Sequence, residues 1–268
     1  MQPANLTDYL SVPSEVELAL ALLFRREAPK VILDIGSCEG EDSIRYSRRF
    51  PSARVFAFEP LPDNQHLISA NLTRFAATNV ELVPLALSDQ QGEATFHVSS
   101  GRPRELFCGE EWNYGNKSSS LLPPSGQDPM YGWIEFREKI IVSTDTLESF
   151  CRTRRIERVD FIHMDVQGAE HLVLAGAGSM LAQIGTLWME VSDKELYQGQ
   201  ILRADMESFM RAHGFALGFE VRRDLEGDQF YVNTRLPRCV AYLAGQRTRS
   251  IHGRARMAAG RMKRALLG

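Results

Sequence analysis

What most constrains this chain is a rhythm: short, almost uninterrupted apolar runs alternate with stretches of helical period. VILDI (Val31 to Ile35) reads as a buried strand, followed by a helix from Glu41 to Phe50 that Pro51 stops. Arg54 to Glu59 is a second strand, Asp63 to Thr78 a helix, and Val80 to Leu87 a third strand. Pro84 cannot donate to a ladder, so that third strand should be shortened or bulged. Glu93 to Ser99 and Lys139 to Ser143 are extended and flank an irregular stretch. A helix capped by Asp145 and Glu148 runs to about Arg155. Strands then follow at Asp160 to Val166 and Thr186 to Val191, with a short helix between them at Glu170 to Ala175. Ala204 to His213 is helical, and Phe215 to Val221 with Gln229 to Thr234 read as a closing hairpin. Strands apolar throughout, joined by helices, imply a doubly wound α/β fold: a mostly parallel sheet covered on both faces, finished by one antiparallel strand.

Before this body lies a helical extension (residues 1–29), whose helix is expected to start at Ser14 because Ser14-Glu15-Val16-Glu17 has capping-box form. The sheet domain should span residues 30–235, with an aromatic-rich insert at about 101–136, and a basic tail should occupy 236–268. The longest strongly apolar run, Leu18 to Phe24, is far short of the roughly 20 residues that a spanning helix needs. No cationic leader precedes it, so the chain is expected to be cytoplasmic. Cys38, Cys108, Cys151 and Cys239 form no Cys-x-x-Cys pair, which argues against a zinc ribbon or redox dithiol and for free thiols. The chain holds 31 Lys+Arg against 34 Asp+Glu, but the last 23 residues carry seven of the bases and no acid. The acidic remainder argues against nucleic acid as a partner.

The first strand ends in Asp34-Ile35-Gly36-Ser37-Cys38-Glu39-Gly40, an acid-x-Gly-x-x-x-Gly loop at the place where open α/β sheets bind ligands. Cys38 stands where a dinucleotide fold needs its second glycine, and Asp34, Glu39, Glu41 and Asp42 would repel a diphosphate. S-adenosylmethionine, with an ammonium, a sulfonium and one carboxylate, suits such a loop better than a nicotinamide dinucleotide. Acids would face its cations and a free backbone N–H its carboxylate. Asp34, Gly36, Ser37, Gly40 and Ser43 are the candidate contacts of the loop and its helix. Glu59, ending the second strand, is placed to accept both ribose hydroxyls.

With these residues in place, the chain resembles the FkbM family of S-adenosylmethionine-dependent O-methyltransferases. The likeness is carried by VILDIGSCEGEDS, FAFEPLPDN, NVELVPLALSDQQGEATF, SSSLL, VDFIHMDVQGAEHLVLAGA and FYVN, from Val31 to Asn233. It implies a seven-stranded, Rossmann-like class I methyltransferase sheet and methylation of a hydroxyl on a sugar, glycolipid or other small molecule. It also implies that Ser88 and Asp89 lie near the adenine, although a plain polar turn explains Asp89 equally. Two departures stand out: His163-Met164-Asp165 replaces the family's usual Lys-Ile-Asp, and Gln167 replaces a Glu. An amide can serve neither as base nor as anionic metal ligand, so a catalytically inactive cofactor-binding protein is the competing reading.

Methyl transfer to a hydroxyl needs alignment and removal of a proton, the latter contributing typically about 10²–10⁴-fold. Asp165, Glu190 and His163 are the candidate catalytic residues, with Glu170 and His171 close in sequence. Asp165 could also hold the cofactor's ammonium, and two carboxylates in one crevice could bind a divalent metal. His163, within an apolar strand, reads more readily as a hydrogen-bonded core histidine than as a catalyst, and Glu170 and His171 can be read as helix flanks. Phe107, Trp112, Tyr114, Tyr131, Trp133 and Phe136 enrich the insert in aromatics that would cover a glycan acceptor, or else pack on the core or form an oligomer contact. In the tail, Ile251, Ala255, Ala258, Met262 and Leu266 fall at helical spacing among bases, a pattern for a solubilising end, for a helix packed on an acidic patch of the body, or for peripheral contact with the inner membrane face. No Asn/Asp-Pro-Pro-aromatic loop of a nucleobase N-methyltransferase is present.

Overall fold

The computed structural model describes residues 5–102, 115–126 and 132–245. Seven strands form the main sheet: β1 (Val31–Ile35), β2 (Arg54–Phe58), β3 (Val80–Val83), β7 (Val159–Met164), β8 (Ile184–Ser192), β9 (Phe215–Arg222) and β10 (Glu226–Asn233). Their order is β3-β2-β1-β7-β8-β10-β9, with only β10 running antiparallel to its neighbours. The order reverses between β1 and β7, and the crevice at their carboxyl ends is the ligand-binding position of such folds.

Alternation along β1 assigns the two faces. Val31, Leu33 and Ile35 pack with α5 (Leu147–Thr153), α6 (Glu170–Ala175) and α7 (Arg203–Ala212). Ile32 packs on the other face with α2 (Glu17–Leu23), α3 (Glu41–Arg49) and the helical residues Cys239 and Tyr242. Burial on both faces explains why these strands read as continuous apolar runs. α4 (Pro62–Arg74) begins with proline in its first turn, where the missing N–H costs nothing, and buries Ile68.

Pro84 does break the third strand, and the chain beyond it joins a different sheet. β4 (Ala86–Leu87), β5 (Gly92–Gly101) and β6 (Ile134–Asp145) form this separate sheet in the order β4-β6-β5. β6 is much longer than the five-residue segment that its apolar run suggested, because most of it is exposed or half-exposed. Between β5 and β6, a short 3-10 turn, Gly115–Ser118, is held to β5 by close backbone contact: a Cβ on Gly115 would lie 2.4 Å from the Gly101 carbonyl oxygen.

Two helix starts differ from expectation. α2 begins at Glu17, not at Ser14, whose buried hydroxyl has no hydrogen-bond partner. Glu17 instead reaches Arg45 at 3.2 Å, a long-range ion pair that outcompetes the local cap. An earlier helix, α1 (Leu6–Ser11), carries the Asx cap of Asn5. Thr146, not Asp145, caps α5. Among the described residues no helix is long and apolar enough to cross a membrane. The tail pattern from Ile251 to Leu266 lies outside the described residues, as do Phe107, Cys108, Trp112, Tyr114 and Tyr131.

Candidate active site

The loop after β1 is built for close approach. Gly36 and Gly40 have φ of +85° and +81°, and a Cβ on Gly36 would lie 1.9 Å from the Asp165 carbonyl oxygen. Only glycine fits there. The loop's amides, however, are all engaged. Gly36 N and Ser37 N donate to the Phe58 carbonyl at 3.1 and 3.0 Å, and Gly40 N to Ser37 O at 2.7 Å. Glu39 N donates to Glu41 Oε2 at 2.9 Å, and the Cys38 amide to Glu59. The free amide expected for a cofactor carboxylate is therefore absent from residues 36–40.

The candidate cofactor residues separate into a scaffold and a lining. Asp34 is buried on the α3 face, where Ser43 Oγ donates to its Oδ2 at 2.5 Å and His163 Nδ1 lies 3.1 Å from its Oδ1. Burial opposes the charge on His163, but Asp42 and Asp34 overcome it and hold its pKa at about 9. His163 is thus an imidazolium near neutral pH and is unsuited to act as a base there. Asp42 also accepts from Tyr9 at 2.6 Å and pairs with Arg45 at 3.2 Å. Ser37 Oγ donates to the Asp34 carbonyl, and Gly40 starts α3. Ser88 closes β4 against Gly176 and does not line a cleft. His171, with its buried Nδ1 lacking a partner, does not line one either.

A cleft opens beside the loop, with Glu59 against Gly36 and Cys38, and Leu87, Phe96 and Leu121 as an apolar wall. Burial pushes the Glu59 carboxyl up to about 7 while Leu61 N holds Oε1 at 2.8 Å. Next to it, Asp34, Asp42, His163 and Lys117 line a charged recess. An adenosine with a charged amino-acid end fits this donor set: apolar wall, hydroxyl acceptor, then both signs of charge.

Across Asp165 lies a larger cavity of about 470 Å³, lined by Phe136, Tyr197, Asp165, Gln167, Glu190 and Glu226 among others. One amide organises its floor. Gln167 Nε2 donates to Asp165 Oδ1 at 2.7 Å and to Glu190 Oε2 at 3.0 Å, while Tyr197 OH lies 2.9 Å from its Oε1. Gln167 sits at φ +55°, which a non-glycine residue adopts only under constraint. Burial, then repulsion from Asp165, Glu226 and other acids, raises Glu190 well above the ordinary carboxylate range; Asp165 is raised by burial too. Glu226 is pushed up to about 7 and Asp228 to about 6, burial leading in both. Buried Glu170, at about 8, accepts from Val166 N at 3.1 Å and staples the loop from behind. Among the described residues no group of three or more His, Cys, Asp or Glu side chains is arranged to hold a metal ion. Asp165 and Glu190 instead share the amide.

The methyltransferase FkbM domain pattern matches residues 34–217. The chain belongs to the FkbM methyltransferase family. It is 35% identical over 207 residues to the 2-O-methyltransferase NoeI of Sinorhizobium fredii, covering 77% of this chain and 80% of that protein. It is 24% identical over 213 residues to the methyltransferase sdnD of Sordaria araneosa, covering 76% of this chain and 80% of that one. Among solved structures, an rRNA methylase from Streptococcus thermophilus aligns with 10% identity over 83% of this chain and 98% of that one, at a TM-score of 0.46. Both departures from the family pattern now have a setting. His163 is held cationic by Asp42 and Asp34, and Gln167 donates to both Asp165 and Glu190.

Sequence reasoning missed Tyr197, Glu226, Asn116 and Lys117. Asn116 Nδ2 donates to Asn64 Oδ1 at 2.8 Å, and Lys117 bonds Glu41 and reaches Cys38 Sγ at 3.7 Å. Their one signal was a place just before SSSLL.

Proposed function

We propose that this FkbM methyltransferase uses S-adenosylmethionine to methylate a hydroxyl of a sugar, a glycolipid or another small polyol. The observation that carries the reading is the meeting of two clefts at Asp165, Gln167 and Lys117, one suited to a nucleoside and the other wide and lined by carboxylates and rings. The 2-O-methyltransferase name of the relative from Sinorhizobium fredii supports a hydroxyl acceptor. When bound, S-adenosylmethionine supplies a methyl group on a sulfonium.

The chain's own residues supply the remainder. Glu59 and the apolar wall seat the nucleoside. Phe136 and Tyr197 offer ring faces to the apolar face of a sugar, and Glu226 accepts from a neighbouring hydroxyl. Gln167 engages one oxygen each of Asp165 and Glu190. Their second oxygens have no protein hydrogen bond among the described residues and are available to the acceptor. Glu190, made more basic by burial and neighbouring acids, takes the hydroxyl proton, and Asp165 aligns the oxygen with the cofactor side. Gln167 preserves this arrangement without adding a third negative charge.

Incubating the protein with S-adenosylmethionine and a panel of free and lipid-linked glycans, and following S-adenosylhomocysteine, tests the reading. Acceptor-dependent product is expected. Tight binding of S-adenosylhomocysteine with no turnover on any polyol would leave a binding protein instead. Peripheral membrane contact through the basic tail is part of the same proposal. Flotation of full-length and 1–245 forms with anionic liposomes tests it, and equal behaviour of the two eliminates it.

A further inference from the structure

The glycine loop by itself cannot seat the cofactor's amino-acid end. Every amide from Gly36 to Gly40 already has an acceptor. The start of α3 is occupied as well: Glu41 and Asp42 fill its first turn, and Glu41 turns back to accept from Glu39 N. A further anion there would meet the carboxylates of Glu41 and Asp42. A carboxylate bound in this recess needs a cation from outside the loop.

Two cations line the recess, His163 and Lys117. His163 Nδ1 is turned to Asp34 at 3.1 Å and Asp42 at 3.9 Å, and its side chain is 16% exposed. Lys117 also has a carboxylate partner, Glu41 at 2.5 Å, but at 29% exposure it is the more accessible. Its side chain lines the adenosine cleft, the charged recess and the acceptor cavity alike. The preceding residue adds an independent sign of a ligand. Asn116 is 7% exposed, and its Nδ2 is held by Asn64, yet its buried Oδ1 has no hydrogen-bond partner beside the adenosine cleft. A buried acceptor without a donor costs free energy unless a ligand supplies one.

We propose that the Gly115–Ser118 turn, delivered by the three-stranded sheet, is the second wall of the cofactor site: Lys117 binds the carboxylate of the amino-acid end, and Asn116 Oδ1 accepts a ribose hydroxyl. This rests on the S-adenosylmethionine reading above and deepens it. The main sheet then provides the seat, and the small sheet provides the charge that tells an amino-acid nucleoside from a plain one.

Calorimetry with two probes tests the assignment: S-adenosylhomocysteine, and 5′-methylthioadenosine, which keeps the adenosine but lacks the amino-acid end. Lys117→Met should weaken S-adenosylhomocysteine by about 10- to 100-fold, the range of a charge-assisted hydrogen bond, and leave methylthioadenosine within about twofold. Lys117→Arg should recover most of the loss. Asn116→Ala should weaken both probes alike, by about 2- to 10-fold. Equal loss of both probes in Lys117→Met, or no loss of either, overturns the role of Lys117. Unchanged binding in Asn116→Ala overturns that of Asn116. A wild-type protein that binds neither probe overturns the cofactor reading itself, and the wall with it.

Discussion

Two groups of buried and half-buried acids meet beside the glycine loop, and they are treated in opposite ways. Asp34 and Asp42 are compensated: Ser43, His163, Tyr9 and Arg45 surround them with donors and positive charge. Asp165, Glu190, Glu226 and Asp228 are not. Among the described residues, the side chains bonded to them are a neutral amide, Gln167, and one arginine, Arg223 on Asp228. The first group fixes the shape of the glycine loop, since a fully satisfied buried network rigidifies the elements it connects. The second keeps its carboxylates basic and underpaired, the condition for accepting a proton. The amino-acid type is the same; the partners decide the role.

Removing one member of the underpaired group should give the largest effect. Glu190→Gln, and Asp165→Asn with it, should lower kcat by about 10²–10⁴-fold, with Glu190→Gln leaving the affinity for S-adenosylhomocysteine nearly unchanged. A kcat within tenfold of wild type for Glu190→Gln would end its assignment as the base. On the compensated side the effect should fall on stability. Arg45→Ala takes the guanidinium from Glu17 and Asp42, leaving Asp42 with Tyr9, and should cost about 1–3 kcal/mol in denaturant unfolding. A cost of less than about 1 kcal/mol, the range of an exposed pair, would show the network to be ornamental. Gln167→Ala should sit between the two groups, lowering kcat about tenfold and moving the pH at half-maximal rate upward, because the amide no longer stabilises either carboxylate.

The smallest effect is a slope with pH. Glu59, Glu170 and Glu226 have folded pKa values of about 7, 8 and 7, above their ordinary value of 4.5. His163, at about 9, is also raised. Groups raised in the folded state contribute stability that is complete below their ordinary pKa and lost as pH climbs through the folded value. The ligand-free protein should therefore melt at a lower temperature at pH 8.5 than at pH 6, by a few degrees. Glu170→Gln should flatten that slope, and a melting temperature that rises over this window would contradict the assignment.

The parallel core was legible because period and composition agree: Val31 to Ile35 and Val159 to Met164 are apolar on both faces, and the glycine loop sits between strand and helix. Pro84 announced a break but could not say that the chain would leave for a second sheet. That destination depends on pairing across more than 50 residues, Ala86 with Thr144. For the same reason the Ser14 cap failed: Glu17 found Arg45, 28 positions away. At the site, Asp165, Glu190 and Glu59 carried a signal because carboxylates at strand ends are conspicuous. Tyr197 carried none, since a lone tyrosine in a loop has no pattern, and Lys117 carried only its place before SSSLL. Gln167 looked like a loss until Asp165 and Glu190 were seen to share it.

The near-contact of Gly36 with the Asp165 carbonyl has a practical meaning for anyone wishing to redirect this enzyme. The glycine loop and Asp165, to which the proposed mechanism gives the alignment of the acceptor, are packed together through main chain, so on that reading the line of attack is set by two adjoining strands and hardly at all by replaceable groups. New acceptors should be sought by rewriting the rim, around Pro124 to Gly126 and Ile134 to Phe136, while those strands are left untouched.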